Sequence, residues 1–201
     1  MVSFLNQIIP FLFFAFVASV TPGPANIAIF AETVTCGWRA SVKYALGILA
    51  GFFIVLLISA VFYSLGVSII NSKLLFPLRI IGSLYLLYIA WKIATAKIQL
   101  MSEGGDTISN ANFFTGLLIH PLSPKAWLFV FLSYGTFAFG ANGFYLVIYC
   151  LLFFASAAIS MFMWMVAGRY VGINLSIKKL KLVNYVSSLA ISVLVIYILV
   201  L

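Results

Sequence analysis

Long apolar runs are the feature of this chain that most limits its fold. Six stretches are almost free of charged residues, and they lie at 4–20 (continuing past a break to about 34), 44–66, 74–96, 113–139, 144–168 and 182–201. A hydrocarbon core about 30 Å thick is crossed by about 20 helical residues, so each stretch is a candidate membrane-spanning helix. The composition agrees, because 65% of the residues are hydrophobic and only 7% are charged. We therefore predict an all-α integral membrane protein with six spans.

The distribution of the basic residues predicts the orientation of the chain. With six spans, the connections after the first, third and fifth spans share one side of the membrane. Eight of the eleven basic residues fall there: Arg39, Lys43, Lys92, Lys97, Arg169, Lys178, Lys179 and Lys181. The opposite side has Lys73 and little else, so the positive-inside rule places the basic side in the cytoplasm and both termini outside. The net charge of +8 is explained by this topology and does not indicate nucleic-acid binding.

One polar segment divides the chain into two halves. The sequence "IQLMSEGGDTISNAN", at 98–112, is the only clearly soluble stretch. We predict a first three-helix half at 1–97, a cytoplasmic linker at 98–112 and a second three-helix half at 113–201. Because a three-helix unit has an odd number of crossings, its copy lies upside down in the membrane. The prediction is therefore a 3+3 inverted repeat.

Each half contains a pair of prolines inside an apolar run. The first half has "TPGPANIAIF" at 21–30, and the second has "HPLSPKAWLF" at 120–129. Proline suits the first turn of a helix, so we predict that helices 1 and 4 are broken and restart at Pro24 and Pro124. Two broken helices at matching places indicate a binding site near the middle of the membrane, with exposed backbone groups and a positive helix end. The alternative is a pair of packed proline kinks that bind nothing.

Three motifs in order resemble a known family. "TPGPANIAIFAETVTCGWRASVKYALGILAG", at 21–51, resembles the opening signature of the LysE/RhtB family of amino-acid exporters, including its spaced glycines Gly37, Gly47 and Gly51. "LRIIGSLYLLYIAWKIA" and "FFTGLLIHPLSPKAWLFVF" are similar to the family's third and fourth helices. Ser123 departs from the family's Asn, and "SYGTFAFG" replaces a proline-containing helix end. The resemblance implies proton-driven efflux of amino acids or related small metabolites across the bacterial inner membrane.

Lys125 is the first candidate site residue. It lies about twelve residues past Phe113, roughly 18 Å along a helix, and so near the midplane of a membrane core about 30 Å thick. A central charge costs at least about 2.5–3.5 kcal/mol, so something must compensate it. We predict that Lys125 is the counter-charge of a substrate carboxylate beside a helix N-terminus. The alternative is a permanent structural pair with an acid or with carbonyl groups.

Other polar residues of the apolar segments each have two interpretations. Glu32 could bind a substrate ammonium or the coupling proton, or it could be a solvated carboxylate near Arg39. Asn26 could bind a zwitterion or tie down the broken backbone. His120 could relay protons or be structural. The predicted substrate-binding set is Pro22, Gly23, Pro24, Asn26, Glu32, Tyr85, Ser123, Pro124 and Lys125, and the predicted proton-coupling residues are Glu32 and His120.

Two other classes of function compete with a transporter. One histidine and three scattered acids do not make a catalytic cluster, so we predict that the chain is not an enzyme and has no metal or cofactor. A channel remains an alternative, because broken helices also form selectivity filters. The Gly47–Gly51 pair permits a homodimer or close packing within one chain. Our prediction is a proton-coupled exporter that works by alternating access in the lipid bilayer.

Overall fold

The computed structural model describes residues 2–65, 75–95, 111–138 and 143–200. These ranges contain helices and no strand, as the apolar runs predict. The helices are α1 (Val2–Val20), α2 (Pro24–Ser64), α3 (Leu75–Ala94), α4 (Phe113–Leu117), α5 (Pro124–Phe137), α6 (Gly143–Asn174) and α7 (Ile177–Val200). Lys73, Lys97 and most of the predicted linker lie outside the described residues.

Helix α2 consists of two arms that meet at Gly37. This glycine has φ 82° and ψ 173°, a backbone conformation that is essentially restricted to glycine. The arms fold back on each other, because Ala25 and Leu49 line the same cavity, whereas a straight helix would hold them about 36 Å apart. We call the two parts of α2 the N-terminal arm (24–36) and the C-terminal arm (38–64).

Several basic residues that were predicted to lie in connections are helical instead. Arg39 and Lys43 belong to the C-terminal arm of α2, because Gly37 alone reverses the chain. Lys178, Lys179 and their neighbour at position 181 lie in the first turns of α7. All of these side chains are exposed. The expected loops at these points are therefore wrong, since the helices continue beyond the apolar segments.

Two buried apolar clusters hold the helices together. The first joins both arms of α2 to α3, α6 and α7, and it includes Ile48 and Met161. The second joins α1, the C-terminal arm, α5 and α6, and it includes Phe52 and Phe153. Helix α6 takes part in both clusters, so it spans the length of the bundle.

The outer faces of the helices are also apolar. Phe13, Phe114 and Phe144 are each more than 70% exposed. Helices α2 and α6 are long and apolar enough to cross a membrane, and Gln7–Val20 and Ser83–Ala94 are shorter apolar stretches. Large exposed apolar surface is unfavourable in water, so this surface fits a lipid solvent.

Glycines allow α4 to lie against the C-terminal arm of α2 at backbone distance. A Cβ atom on Gly47 would come within 2.0 Å of the carbonyl oxygen of Phe113, and one on Gly51 within 2.2 Å of that of Leu117. Only glycine fits at such distances. The Gly47–Gly51 pair thus packs within the chain, and the predicted homodimer stays a prediction.

Candidate functional site

The chain leaves helical geometry between α1 and α2, and side chains bond the carbonyl groups that this exposes. The Asn26 amide donates to the carbonyl oxygens of Ser19 (2.7 Å) and Thr21 (3.1 Å). Ser160 of α6 donates a second bond to the Ser19 carbonyl at 2.8 Å, and Trp164 donates to the next carbonyl at 3.3 Å. Lipid offers no hydrogen bonds, so these contacts make an interruption tolerable inside a membrane.

A second interruption lies between α4 and α5. Helix α4 begins with a capping box in which Asn112 and Thr115 bond each other's backbone N–H groups. It ends at Leu117, and a turned segment leads to α5, where Trp127 donates to the Pro121 carbonyl at 2.8 Å. Because the segment between them is not a continuous helix, the uniform rise that placed Lys125 about 18 Å from Phe113 does not apply. The depth of Lys125 in the membrane therefore stays a prediction.

The helices that follow the two breaks begin alike. Proline occupies the first turn of both α2 and α5, after Gly23 and Ser123 respectively. Both of these N-cap residues are extended, and neither provides a side-chain hydrogen bond to its helix. The partial positive charge of each helix N-terminus is therefore not reduced by a capping side chain.

Both breaks line one cavity of about 70 Å³. It lies between the two apolar clusters, since Phe52 and Phe153 of the second cluster and Met161 of the first all border it. Its polar lining comes from α1, from both breaks and from the helix starts that follow them. These lining residues are Ser19, Thr21, Asn26, His120, Ser123 and Lys125.

The ammonium group of Lys125, which follows the second break, contacts the first break. A Cβ atom on Gly23 would lie 3.2 Å from Lys125 Nζ, so the ammonium touches the start of α2. The same Nζ lies 5.4 Å from the ring centroid of Phe129, which is a cation–π distance. Among the residues that the structure describes, no carboxylate lines the cavity. The lining thus supplies one positive charge and no negative one.

His120 is also fixed beside the cavity. Its ring centroid lies 4.8 Å from that of Phe52, at a tilt of 48°. Its Nδ1 is buried and has no hydrogen-bond partner within the described part of the chain. The backbone carbonyl of His120 accepts a 3.0 Å bond from the Ser123 amide, which closes the turn before α5.

Four of the predicted site residues do not line the cavity. Glu32 is partly buried one helical turn before Cys36, and its carboxylate lies beside the Cys36 thiol. The Tyr85 hydroxyl donates to a backbone carbonyl of α4. Pro22 is exposed, and Pro124, the first residue of α5, is buried. The structure therefore brings together Gly23, Pro24, Asn26, His120, Ser123 and Lys125 and leaves the other four apart.

Sequence reasoning missed the apolar walls of the cavity. Phe129 follows Lys125 by one helical turn, and that spacing could have identified it. Phe153 and Met161 come from α6. Nothing in the sequence around Phe153 or Met161 indicates that either residue lines a cavity.

A family model described as "LysE type translocator" matches residues 16–200 of this chain. The chain belongs to this family. Its members are multi-pass inner-membrane transporters and not enzymes, so the transporter class predicted from the sequence is confirmed.

Several curated relatives of the chain are named as efflux proteins. A "Cysteine/O-acetylserine efflux protein" of Klebsiella pneumoniae subsp. pneumoniae is 28% identical over 161 residues, which is 79% of this chain and 80% of the relative. Proteins of the same name from Salmonella choleraesuis and Escherichia coli O1:K1 are 34% identical over 84 residues and 28% identical over 124 residues. Those two matches cover 41% and 62% of this chain, and 42% and 62% of the respective relatives. No solved structure matches the chain significantly.

Proposed function

We propose that this protein exports amino acids or related small metabolites from the cytoplasm, and that the cavity between the two breaks binds them. The observation that carries the proposal is the Lys125 ammonium, which lies against Gly23 in a cavity where none of the described lining residues has a carboxylate. Such an ammonium needs a mobile anion to complete the site. The α-carboxylate of an amino acid is an anion of this kind.

The charge of the cavity favours one class of amino acid. A substrate carboxylate that lies beside both Lys125 and the start of α2 would meet an ammonium and a helix N-terminus together. An extra positive charge on the substrate would find no carboxylate among the described residues of the lining. Cysteine and O-acetylserine, after which the relatives are named, are zwitterions with uncharged side chains. We infer that this chain carries small zwitterions of the same class.

The proposed transport cycle uses the predicted inverted repeat. In this scheme α1 and the N-terminal arm of α2 together form the first span. The C-terminal arm of α2 forms the second span, and α3 forms the third. Helices α4 and α5 form the broken fourth span, and α6 and α7 complete the second half. Matching helix starts at Pro24 and Pro124 support this pairing. Alternating access would expose the central cavity first to the cytoplasm and then outside, with both termini outside.

Proton coupling is proposed for two residues in different places. His120 lines the cavity and can respond directly to the substrate. Glu32 lies about 9 Å further along α2 than Asn26, so any role of its carboxylate is exerted from outside the cavity. A saturable flux that depends on the pH gradient would distinguish this carrier from a channel, in which conductance is independent of the gradient.

The experiment is substitution of Lys125→Ala, followed by uptake of labelled L-cysteine into inside-out vesicles with and without a pH gradient. We expect wild-type protein to accumulate L-cysteine but not L-lysine, and the variant to lose uptake while it remains inserted. Lys178→Ala is the matched control, because this exposed lysine lies at the start of α7, away from the cavity. Full transport by Lys125→Ala would refute the proposed site.

A further inference from the structure

Two unpartnered polar atoms belong to residues of the same cavity. Within the described residues, four buried side-chain atoms lack a hydrogen-bond partner: Ser19 Oγ, Ser59 Oγ, Ser83 Oγ and His120 Nδ1. Ser19 and His120 line the cavity, whereas Ser59 and Ser83 do not. Buried polar atoms are almost always bonded, so a pair of exceptions at one cavity indicates a ligand that completes their hydrogen bonds.

The chemistry of the pair indicates which part of a ligand it would bind. With the carboxylate assigned to Lys125, the other polar group of a zwitterion is its ammonium, which only donates hydrogen bonds. A neutral imidazole nitrogen and a serine hydroxyl can both accept them. We propose that His120 Nδ1, with Ser19 Oγ, binds the substrate ammonium, and that a proton and the substrate compete for this nitrogen. This inference rests on the proposed export function.

Competition follows from the charges around the ring. Within the described part of the chain, Lys125 is the only other titratable side chain that lines the cavity, and Phe52 of α2 and Phe153 of α6 are uncharged. A protonated His120 would donate at Nδ1 instead of accepting, and its charge would repel the substrate ammonium. Substrate that enters from the cytoplasm therefore displaces the proton inward, and a proton that enters from outside displaces the substrate outward. The cycle exchanges one proton for one zwitterion at a single site.

Two substitutions separate the two roles of the ring. His120→Asn can place an amide oxygen near the position of Nδ1 but cannot be protonated near neutral pH, whereas His120→Leu removes the acceptor. Purified variants in proteoliposomes would be assayed for L-cysteine counterflow without a pH gradient and for accumulation driven by a gradient. For wild-type protein we expect the counterflow KM to rise as the pH falls, because protonation removes the acceptor.

The two variants should behave differently. His120→Asn should retain counterflow with a KM raised by no more than about threefold, lose its pH dependence and lose gradient-driven accumulation. His120→Leu should raise the KM by about tenfold or more, as expected for a lost hydrogen bond to a charged group. Ser19→Ala should raise the KM severalfold. Ser59→Ala is its matched control, since Ser59 Oγ is also buried and unpartnered but does not line the cavity.

A ligand without an ammonium group tests folding and the site together. Inhibition by 3-mercaptopropionate should depend on Lys125 and should persist in His120→Leu, which would show that this variant is folded. Wild-type accumulation by His120→Asn would overturn the proton competition, and an unchanged KM in His120→Leu would overturn the ammonium site. If folded wild-type protein transported no amino acid at all, the export function itself would fail.

Discussion

The contact between Gly23 and Lys125 gives a prediction with a calculable size. Gly23 has φ −150°, an extended conformation that alanine adopts without strain, so Gly23→Ala adds only a methyl group. That methyl carbon would lie 3.2 Å from Lys125 Nζ, closer than carbon and nitrogen normally approach. The ammonium sits at the end of a flexible side chain and can move away. We expect it to move by about 0.4 Å.

The displacement should weaken substrate binding by a small, defined factor. If a substrate carboxylate lies about 3.0 Å from the ammonium and the separation grows to about 3.4 Å, an effective dielectric constant of about 20 gives a loss of about 0.6 kcal/mol. This corresponds to about a threefold increase in KM. The fold should be unaffected, because no backbone atom is displaced.

The assay is counterflow of labelled L-cysteine in proteoliposomes, together with thermal unfolding of the purified variants. Gly135→Ala in α5 is the matched control, because a Cβ atom there would meet nothing within 4 Å. We expect its KM and its unfolding temperature to stay at wild-type values. A Gly23→Ala protein with the wild-type KM would refute the placement of the substrate carboxylate at Lys125.

Two further predictions concern stability. Gly37→Ala should lower the free energy of unfolding by about 1–3 kcal/mol, because alanine is strained at φ 82° and ψ 173°; an unchanged unfolding temperature would contradict the reversal of α2 at this residue. Gly47→Ala should destabilise the protein by at least about 1–3 kcal/mol, since its Cβ would lie 2.0 Å from the Phe113 carbonyl oxygen. Gly143→Ala, which meets nothing within 4 Å, is its control in the same unfolding assay, and equal unfolding temperatures would argue against the α2–α4 contact.

The helices and their interruptions are the features that local sequence specifies best. A run of apolar residues must be helical in lipid, and a proline inside it removes a backbone donor wherever the chain goes next. For this reason the helix starts at Pro24 and Pro124 could be anticipated from two short motifs. The reversal between the first two spans was also predicted, but as a loop that contained Arg39 and Lys43. That Gly37 alone makes this reversal could not be anticipated, because a single glycine inside helix-forming sequence looks like a tolerated exception.

The composition of the cavity depends on which helices meet, and local sequence contains little of that information. Asn26 was expected either to bind a ligand or to tie down the break, and it lines the cavity while it bonds two break carbonyls. Glu32 and Tyr85 looked suitable because they are polar residues in apolar helices, but that property does not say which neighbour they face. Phe153 enters the site only because α6 packs along both breaks.

The prolines and the glycines of this chain have separate physical tasks. A proline break exposes polar backbone, but two breaks far apart would make two unstable defects and no site. The C-terminal arm of α2 approaches α4 at Gly47, and α6 approaches the N-terminal arm at Gly168, where a Cβ atom would lie 2.8 Å from the Phe30 carbonyl oxygen. These contacts fix one flank of each break, the N-terminal arm for the first and α4 for the second, and both flanks belong to or pack on the helix that Gly37 folds in two. The prolines therefore interrupt the helices, and the glycines allow the interrupted segments to pack close to one another. In a sequence of this kind, the spacing of the glycines is as informative about a central site as the spacing of the prolines.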